Sequence, residues 1–118
     1  MEIKHKIWLE NDGRVIFGKG RDELLRAIDE CQSLNAAAKK LNISYRGAWG
    51  RLKASEERLK IKLVELHSQG RGMHLTAEGK AILHEYDELE KKIDADLKQA
   101  FSKFDSIMKA SPRRDPSV

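Results

Sequence analysis

SLNAAAKKLNISYRGAWGRL, residues 33–52, is the stretch that decides the fold of this chain. Ser33 is a favourable N-cap for a helix that carries three alanines at 36–38, and Ser44 is an equally good N-cap for a second helix. Asn42 between them suits the left-handed conformation of a tight turn. This pattern predicts a helix-turn-helix, whose second helix enters the major groove of DNA.

Positive charge is concentrated on the same part of the chain. The net charge is +4 over 118 residues, but residues 39–62 alone hold eight Lys and Arg side chains against Glu56 and Glu57, a balance of +6. Binding to the phosphate backbone needs such a field. A basic, solvated helical surface without a partner would give the same balance.

We predict a DNA-reading helix over 44–55, in which Ala48, Trp49 and Leu52 pack inward. Tyr45, Arg46 and Gly47 are expected to approach base edges, because Arg bonds guanine and Tyr can bond phosphate or pack on a thymine methyl. The predicted DNA-binding residues are Asn35, Lys39, Ser44, Tyr45, Arg46, Gly47, Arg51 and Arg71.

Two hairpins are expected to flank the helices. Residues 3–10 and 14–17 are predicted to form strands around the Asn11-Asp12-Gly13 turn, followed by a helix over 21–32. Residues 62–67 and 73–75 are predicted to form a second pair around 68–72, which resembles a wing. Arg71 at its tip is expected to contact a minor groove or phosphate, or to remain solvated.

The last helix is predicted to be long, since no Pro or Gly occurs between Lys80 and Ser111. Its single apolar stripe exceeds what one small domain covers, so we expect a homodimer, with folding back onto its own domain as the alternative. The expected dimerisation residues are Leu24, Ile28, Ile82, Tyr86, Leu89, Ile93, Leu97, Phe101 and Phe104.

Catalytic and metal sites have little support in the sequence. The four histidines lack metal-ligand spacing, and no set of titratable residues converges, so we expect neither an enzyme nor a cofactor. Cys31 is the only cysteine, which excludes an intrachain disulfide and fits a reducing cytoplasm. No apolar run approaches the length of a membrane span.

The run Gly20-Arg21-Asp22-Glu23-Leu24-Leu25, then Ala36-Ala37 and Ser44-Tyr45-Arg46-Gly47-Ala48-Trp49, resembles the N-terminal domain of the ModE family of molybdate-responsive bacterial transcriptional regulators. Leu75-Thr76-x-x-Gly79 is similar to the same family and to LysR-type DNA-binding domains. The resemblance covers about residues 4–90 and implies a winged helix-turn-helix that dimerises through its first and last helices. It does not reach the family's molybdate-binding domains, and the segment SQGRGM contains fewer glycines than the family's wing.

The sequence thus predicts a mainly α fold with small β-hairpins: a winged helix-turn-helix over 1–76, a long dimerisation helix over 77–110 in the same structural unit, and a disordered tail over 111–118. The expected function is a cytoplasmic, homodimeric transcriptional regulator that binds double-stranded DNA, with an unknown effector. The alternative is a protein-interaction module that uses the winged fold and the long helix as docking surfaces.

Overall fold

The computed structural model describes residues 1–67 and 72–110. Within these residues, four helices and two small antiparallel sheets follow one another. Their bounds are β1 Trp8–Asn11, β2 Arg14–Gly18, α1 Lys19–Cys31, α2 Leu34–Lys40, α3 Tyr45–Leu59, β3 Val64–Leu66, β4 Met73–Leu75 and α4 Ala77–Ala110. The fold is therefore a winged helix-turn-helix with an N-terminal hairpin and a long last helix, as predicted.

Contacts divide the chain into two compact units. The first contains Ile7–Asp87, and the second contains Met1–Lys6 together with the chain from Glu88 onward. In the second unit, His5 Nε2 lies 3.6 Å from an Asp94 carboxylate oxygen, next to the last helix.

The N-terminal hairpin turns at Asp12 and Gly13, whose φ angles of 52° and 77° are those of a type I′ turn. The predicted first strand is too long, because only Trp8–Asn11 is a strand and residues 3–7 are not. The reason lies in the partner strand, which ends where Gly18 pairs with Trp8. β2 therefore offers no strand residue opposite those that precede Trp8.

The core of the larger unit is assembled by the helices. Phe17, Leu25, Ile28 and Leu52 are almost completely buried, and α1 packs against α2, α3, β2 and β4. The remaining buried apolar side chains include Leu24, Ala27, Leu34, Ala37, Ala38, Ala48, Leu63, Val64, Met73, Leu75, Leu83 and Tyr86. The small alanines of α2 allow it to cross closely over its neighbours.

Tyr86 closes this core from α4. Its ring packs edge-on against Phe17, with centroids 5.0 Å apart, and its hydroxyl donates a 2.8 Å hydrogen bond to the Ile7 carbonyl. α4 starts as predicted, because the Thr76 hydroxyl caps it by accepting a hydrogen bond from the Gly79 amide at 3.0 Å. The tail predicted over 111–118 lies outside the described residues, and no described helix has the length and apolar character needed to cross a bilayer.

Candidate nucleic-acid interface

The turn between α2 and α3 fixes the position of the proposed DNA-reading helix. The Ser33 hydroxyl caps α2 by accepting from the Ala36 amide at 3.1 Å, and the Ser44 hydroxyl caps α3 by accepting from the Gly47 amide at 2.9 Å. Asn42 takes the left-handed φ of 56° that the sequence predicts for this turn. The pattern in residues 33–52 therefore gives the two capped helices that it predicts.

α3 has one buried face and one exposed face. Ala48, Leu52 and Ser55 face the core, each at most 2% exposed. Ser55 is held there by its hydroxyl, which donates to the Arg51 carbonyl and accepts from Arg21 Nε, both at 2.7 Å. These contacts fix the rotation of α3, and with it the side chains that face solvent.

The prediction that Trp49 packs inward is wrong. Trp49 is 41% exposed and lies one helical turn after Tyr45, which is 53% exposed. The ammonium of Lys53, one turn further on, lies 4.5 Å from the centre of the Trp49 ring. The aromatic stripe of Tyr45 and Trp49 therefore belongs to the exposed face, and the four-residue spacing between these two side chains was the signal in the sequence.

The structure brings most of the predicted DNA-binding side chains to the surface. Those of Asn35, Lys39, Ser44, Tyr45, Arg46 and Arg51 are exposed, and Gly47 is half-buried. Arg71 lies outside the described residues. Within the described parts of the chain, no hydrogen bond or ion pair engages the side chains of Lys39, Tyr45 or Arg46. Their polar groups are thus available to a partner.

Other basic side chains of this region already have contacts inside the chain. Lys40 pairs with Glu30, and the Arg58 guanidinium donates a 3.0 Å hydrogen bond to the Val15 carbonyl. Burial lowers the pKa of Arg21, and the charges of Arg58 and Arg51 add to this effect. Three guanidiniums thus share one neighbourhood, which keeps the local potential positive.

The wing has the predicted strands, although they are shorter than expected at β3. Val64 pairs with Leu75 and Leu66 pairs with Met73. Leu66 is 74% exposed, so the outer face of the hairpin is open to solvent. The tip, residues 68–71, lies outside the described residues.

Of the side chains expected at the dimer interface, Leu24, Ile28 and Tyr86 prove to be buried in the core of their own chain, with at most 3% of each exposed. A side chain without free surface cannot contact a second copy, so these three residues are removed from the expected interface. On α4, Leu89 and Phe104 are 38% and 55% exposed, and the stripe continues to Ile107 and Met108.

Comparison with known proteins agrees with this geometry. The family model of the bacterial regulatory helix-turn-helix proteins of the lysR family matches residues 23–80. The transcriptional regulator ModE of Haemophilus influenzae is 36% identical over 74 residues, which are 60% of this chain and 29% of that protein. The chain thus spans less than a third of this curated relative.

Two solved structures show the same fold. The CbnR DNA-binding domain in complex with DNA has a TM-score of 0.57 at 26% identity. The match covers 72% of this chain and 97% of the CbnR chain. The BenM DNA-binding domain in complex with benA site 1 DNA has a TM-score of 0.55 at 26% identity, covering 69% and 92%. The resemblance seen in the sequence is thereby confirmed: residues 23–80 match the helix-turn-helix model of the lysR family of bacterial regulatory proteins, and the chain is similar to ModE over 74 residues.

Proposed function

We propose that the chain is a sequence-specific DNA-binding domain of a transcriptional regulator, in which α3 enters the major groove of duplex DNA. The observation that carries this proposal is the exposed first turn of α3, where Tyr45 and Arg46 have no partner among the described residues. A helix whose base-reading side chains lie at its N-terminal end is the form that helix-turn-helix proteins present to the groove.

The proposed contacts are of two kinds, those with the edges of the bases and those with the DNA backbone. Arg46 is the candidate for bidentate bonds to guanine, and Tyr45 is the candidate for contact with a phosphate or a thymine methyl. Gly47 has no side chain, so the backbone of the first turn can approach the DNA closely. Asn35, Lys39, Ser44 and Arg51 are assigned to the phosphates on either side of the groove, and Arg71 to the contact of the wing.

Trp49 is added to this surface by its position. Its ring lies next to Tyr45 on the exposed face, and Lys53 lies over it. The uncharged ring of Trp49 would enlarge the area of α3 that contacts the DNA. We assign Trp49 to packing on the sugar-phosphate backbone beside the groove, and the Lys53 ammonium, which lies 3.2 Å from a Glu56 carboxylate oxygen in the free chain, to a neighbouring phosphate.

We further propose a homodimer formed along α4. Leu89 and Phe104 are exposed on this helix, and a second copy of the same stripe would bury them. The proposed interface consists of Ile82, Leu89, Ile93, Leu97, Phe101 and Phe104. Two reading helices would then occupy half-sites about 34 Å apart, one turn of the duplex. A protein that binds chromosomal DNA would be located in the bacterial cytoplasm.

The test is selection of binding sites from random duplex DNA, followed by gel-shift assays on the selected sequence. Tyr45→Ala and Arg46→Ala are expected to weaken specific binding, with a cost of about 1–3 kcal/mol for the loss of the arginine contact. Arg14→Ala is the matched control, because Arg14 is an exposed arginine of the N-terminal hairpin. Unchanged binding by the α3 variants, with the fold intact by circular dichroism, would remove α3 from the interface.

A further inference from the structure

The wing hairpin brings together two histidines that are seven residues apart in the sequence. His74 lies in β4 opposite Glu65 of β3, and His67 follows the end of β3. Their Nδ1 atoms are 3.2 Å apart, and the ring centroids are 4.8 Å apart with the planes inclined by 31°. The rings therefore meet at an angle, with one nitrogen of each turned towards the other.

Two imidazole nitrogens at this distance can be joined either by a hydrogen bond or by a metal ion that binds both of them. We propose that His67 and His74 bind a divalent transition-metal ion such as Zn²⁺ through their Nδ1 atoms. Two Zn–N bonds of about 2.05 Å at the tetrahedral angle hold their nitrogens about 3.3 Å apart. The observed separation of 3.2 Å is close to this value.

The surroundings of His74 prepare it to act as a ligand. Its Nε2 lies 3.2 Å from a carboxylate oxygen of Glu65. A hydrogen bond from Nε2–H to this carboxylate selects the tautomer that leaves the Nδ1 lone pair free. Metal-binding histidines usually have such a carboxylate or carbonyl partner on the second nitrogen.

The position of His67 is fixed by Gly72 on the other side of the hairpin. The His67 amide donates a 3.2 Å hydrogen bond to the Gly72 carbonyl. Gly72 has a φ of 132°, and a Cβ there would lie 2.3 Å from His67 Cδ2. Any other residue would displace the ring, so this glycine preserves the approach of the two histidines.

The site is a partly open one with room for further ligands. The His74 side chain is 33% exposed and His67 is half-buried, so water can complete the coordination of the ion. A bound ion would link the end of β3 to β4 at the end of the hairpin that leads to the tip. No sequence pattern indicates this pair, because the two histidines come together only through the register of the hairpin.

Calorimetric titration of the tag-free chain with Zn²⁺ tests the proposal. We expect one ion per chain, and a loss of affinity of more than tenfold in His67→Ala and in His74→Ala. Glu65→Gln keeps both ligands but weakens the carboxylate contact, so a loss of about tenfold is expected. His84→Ala is the matched control, because His84 is exposed on α4, and its affinity should equal that of the parent.

A second measurement on the unaltered chain covers the case in which a variant fails to fold. Imidazole ¹⁵N resonances should respond to Zn²⁺ at Nδ1 of His67 and His74, and not at His5 or His84. Absence of binding, or binding that survives both substitutions, would overturn the proposal. In that case the two rings share a proton only.

Discussion

Gly79 packs against the backbone of Leu63 so closely that a methyl group on its α carbon would lie 2.3 Å from the Leu63 carbonyl oxygen. The same carbonyl accepts a 2.9 Å hydrogen bond from the Thr76 amide, and the Thr76 hydroxyl donates a 2.7 Å hydrogen bond to the Lys62 carbonyl. These contacts join the start of α4 to the segment that precedes β3. The glycine of the Leu75-Thr76-x-x-Gly79 motif is thus required by close packing of two backbones.

Gly79→Ala should therefore destabilise the fold. The new methyl group can be accommodated only by moving α4 away from Leu63, and overpacking of this kind typically costs about 1–3 kcal/mol. Gly50→Ala is the matched control, because Gly50 lies in α3 with nothing within 4 Å of the added carbon. That variant should gain up to about 1 kcal/mol from helix propensity. Urea unfolding measures both, and a neutral Gly79→Ala would contradict the packing argument.

Asp22 should give the fold a pH dependence in the acidic range. Burial raises the pKa of Asp22 to about 6, with further contributions from Asp87, while Arg26 opposes the shift. The Arg26 guanidinium lies 2.6 Å from Asp87 and 3.3 Å from Asp22, so one cation serves two carboxylates. The folded chain thus keeps a proton that the unfolded chain releases near its ordinary pKa of 3.8.

The sign of this effect follows from proton binding. Between about pH 4 and pH 6 the folded state binds more protons at Asp22 than the unfolded state, so this group's contribution to stability falls as pH rises. Asp22→Asn keeps a neutral donor and acceptor in place and should lack that fall. Unfolding free energies of parent and variant, measured from pH 4 to pH 7, should diverge with rising pH in favour of the variant. Parallel curves would show that Asp22 is ionised throughout.

Trp49 and Leu52 are three residues apart on α3, but their substitution by alanine should cost very different amounts of folding stability. Leu52→Ala leaves a cavity in the core and should cost about 2–5 kcal/mol. Trp49→Ala removes a side chain that is 41% exposed and should cost about 1 kcal/mol. On the proposed function, Trp49→Ala should also weaken DNA binding although its fold is intact. Equal losses of stability would mean that Trp49 packs inward after all.

Much of the fold was accessible from sequence because its signals are local. Ser33 and Ser44 each cap a helix as predicted, and the Asp12-Gly13 turn has the positive φ angles that it favours. These features depend on the few residues around each position. The sequence therefore predicted the order of the elements and most of their boundaries, but α3, expected over 44–55, extends to Leu59.

The errors arose where one element depends on a distant one. The first strand begins only at Trp8, opposite the last residue of its partner, Gly18. The inward face of α3 is set by the contact of Ser55 with Arg21, 34 residues away. Leu24 and Ile28 have the spacing of an interface stripe, but helices and strands of the same chain cover them. The approach of His67 to His74 likewise depends on the strand register. None of these relationships can be predicted from a local sequence pattern.

A charge placed on the exposed stripe of α4 should disrupt the proposed dimer. Phe104→Glu puts a carboxylate on a side chain position that is 55% exposed in the single chain, so the monomer should fold normally. Gln99→Glu introduces the same change in charge at an exposed position on another face of the helix. Sedimentation equilibrium should give a dimer for the parent and the control, and a monomer for Phe104→Glu. A dimer that survives this substitution would place the interface elsewhere.

The salt dependence of duplex DNA binding tests the central claim most directly. Each phosphate contact contributes about 0.9 to the slope of log affinity against log salt, so affinity should fall at least tenfold between about 50 and 200 mM salt. Lys39→Ala should reduce the slope by about one unit, whereas Lys91→Ala on α4 should leave it unchanged. Fluorescence anisotropy with a labelled duplex gives all three slopes. An affinity that does not depend on salt, or a slope that Lys39→Ala leaves unchanged, would contradict the assignment of α2 and α3 as the DNA-binding surface.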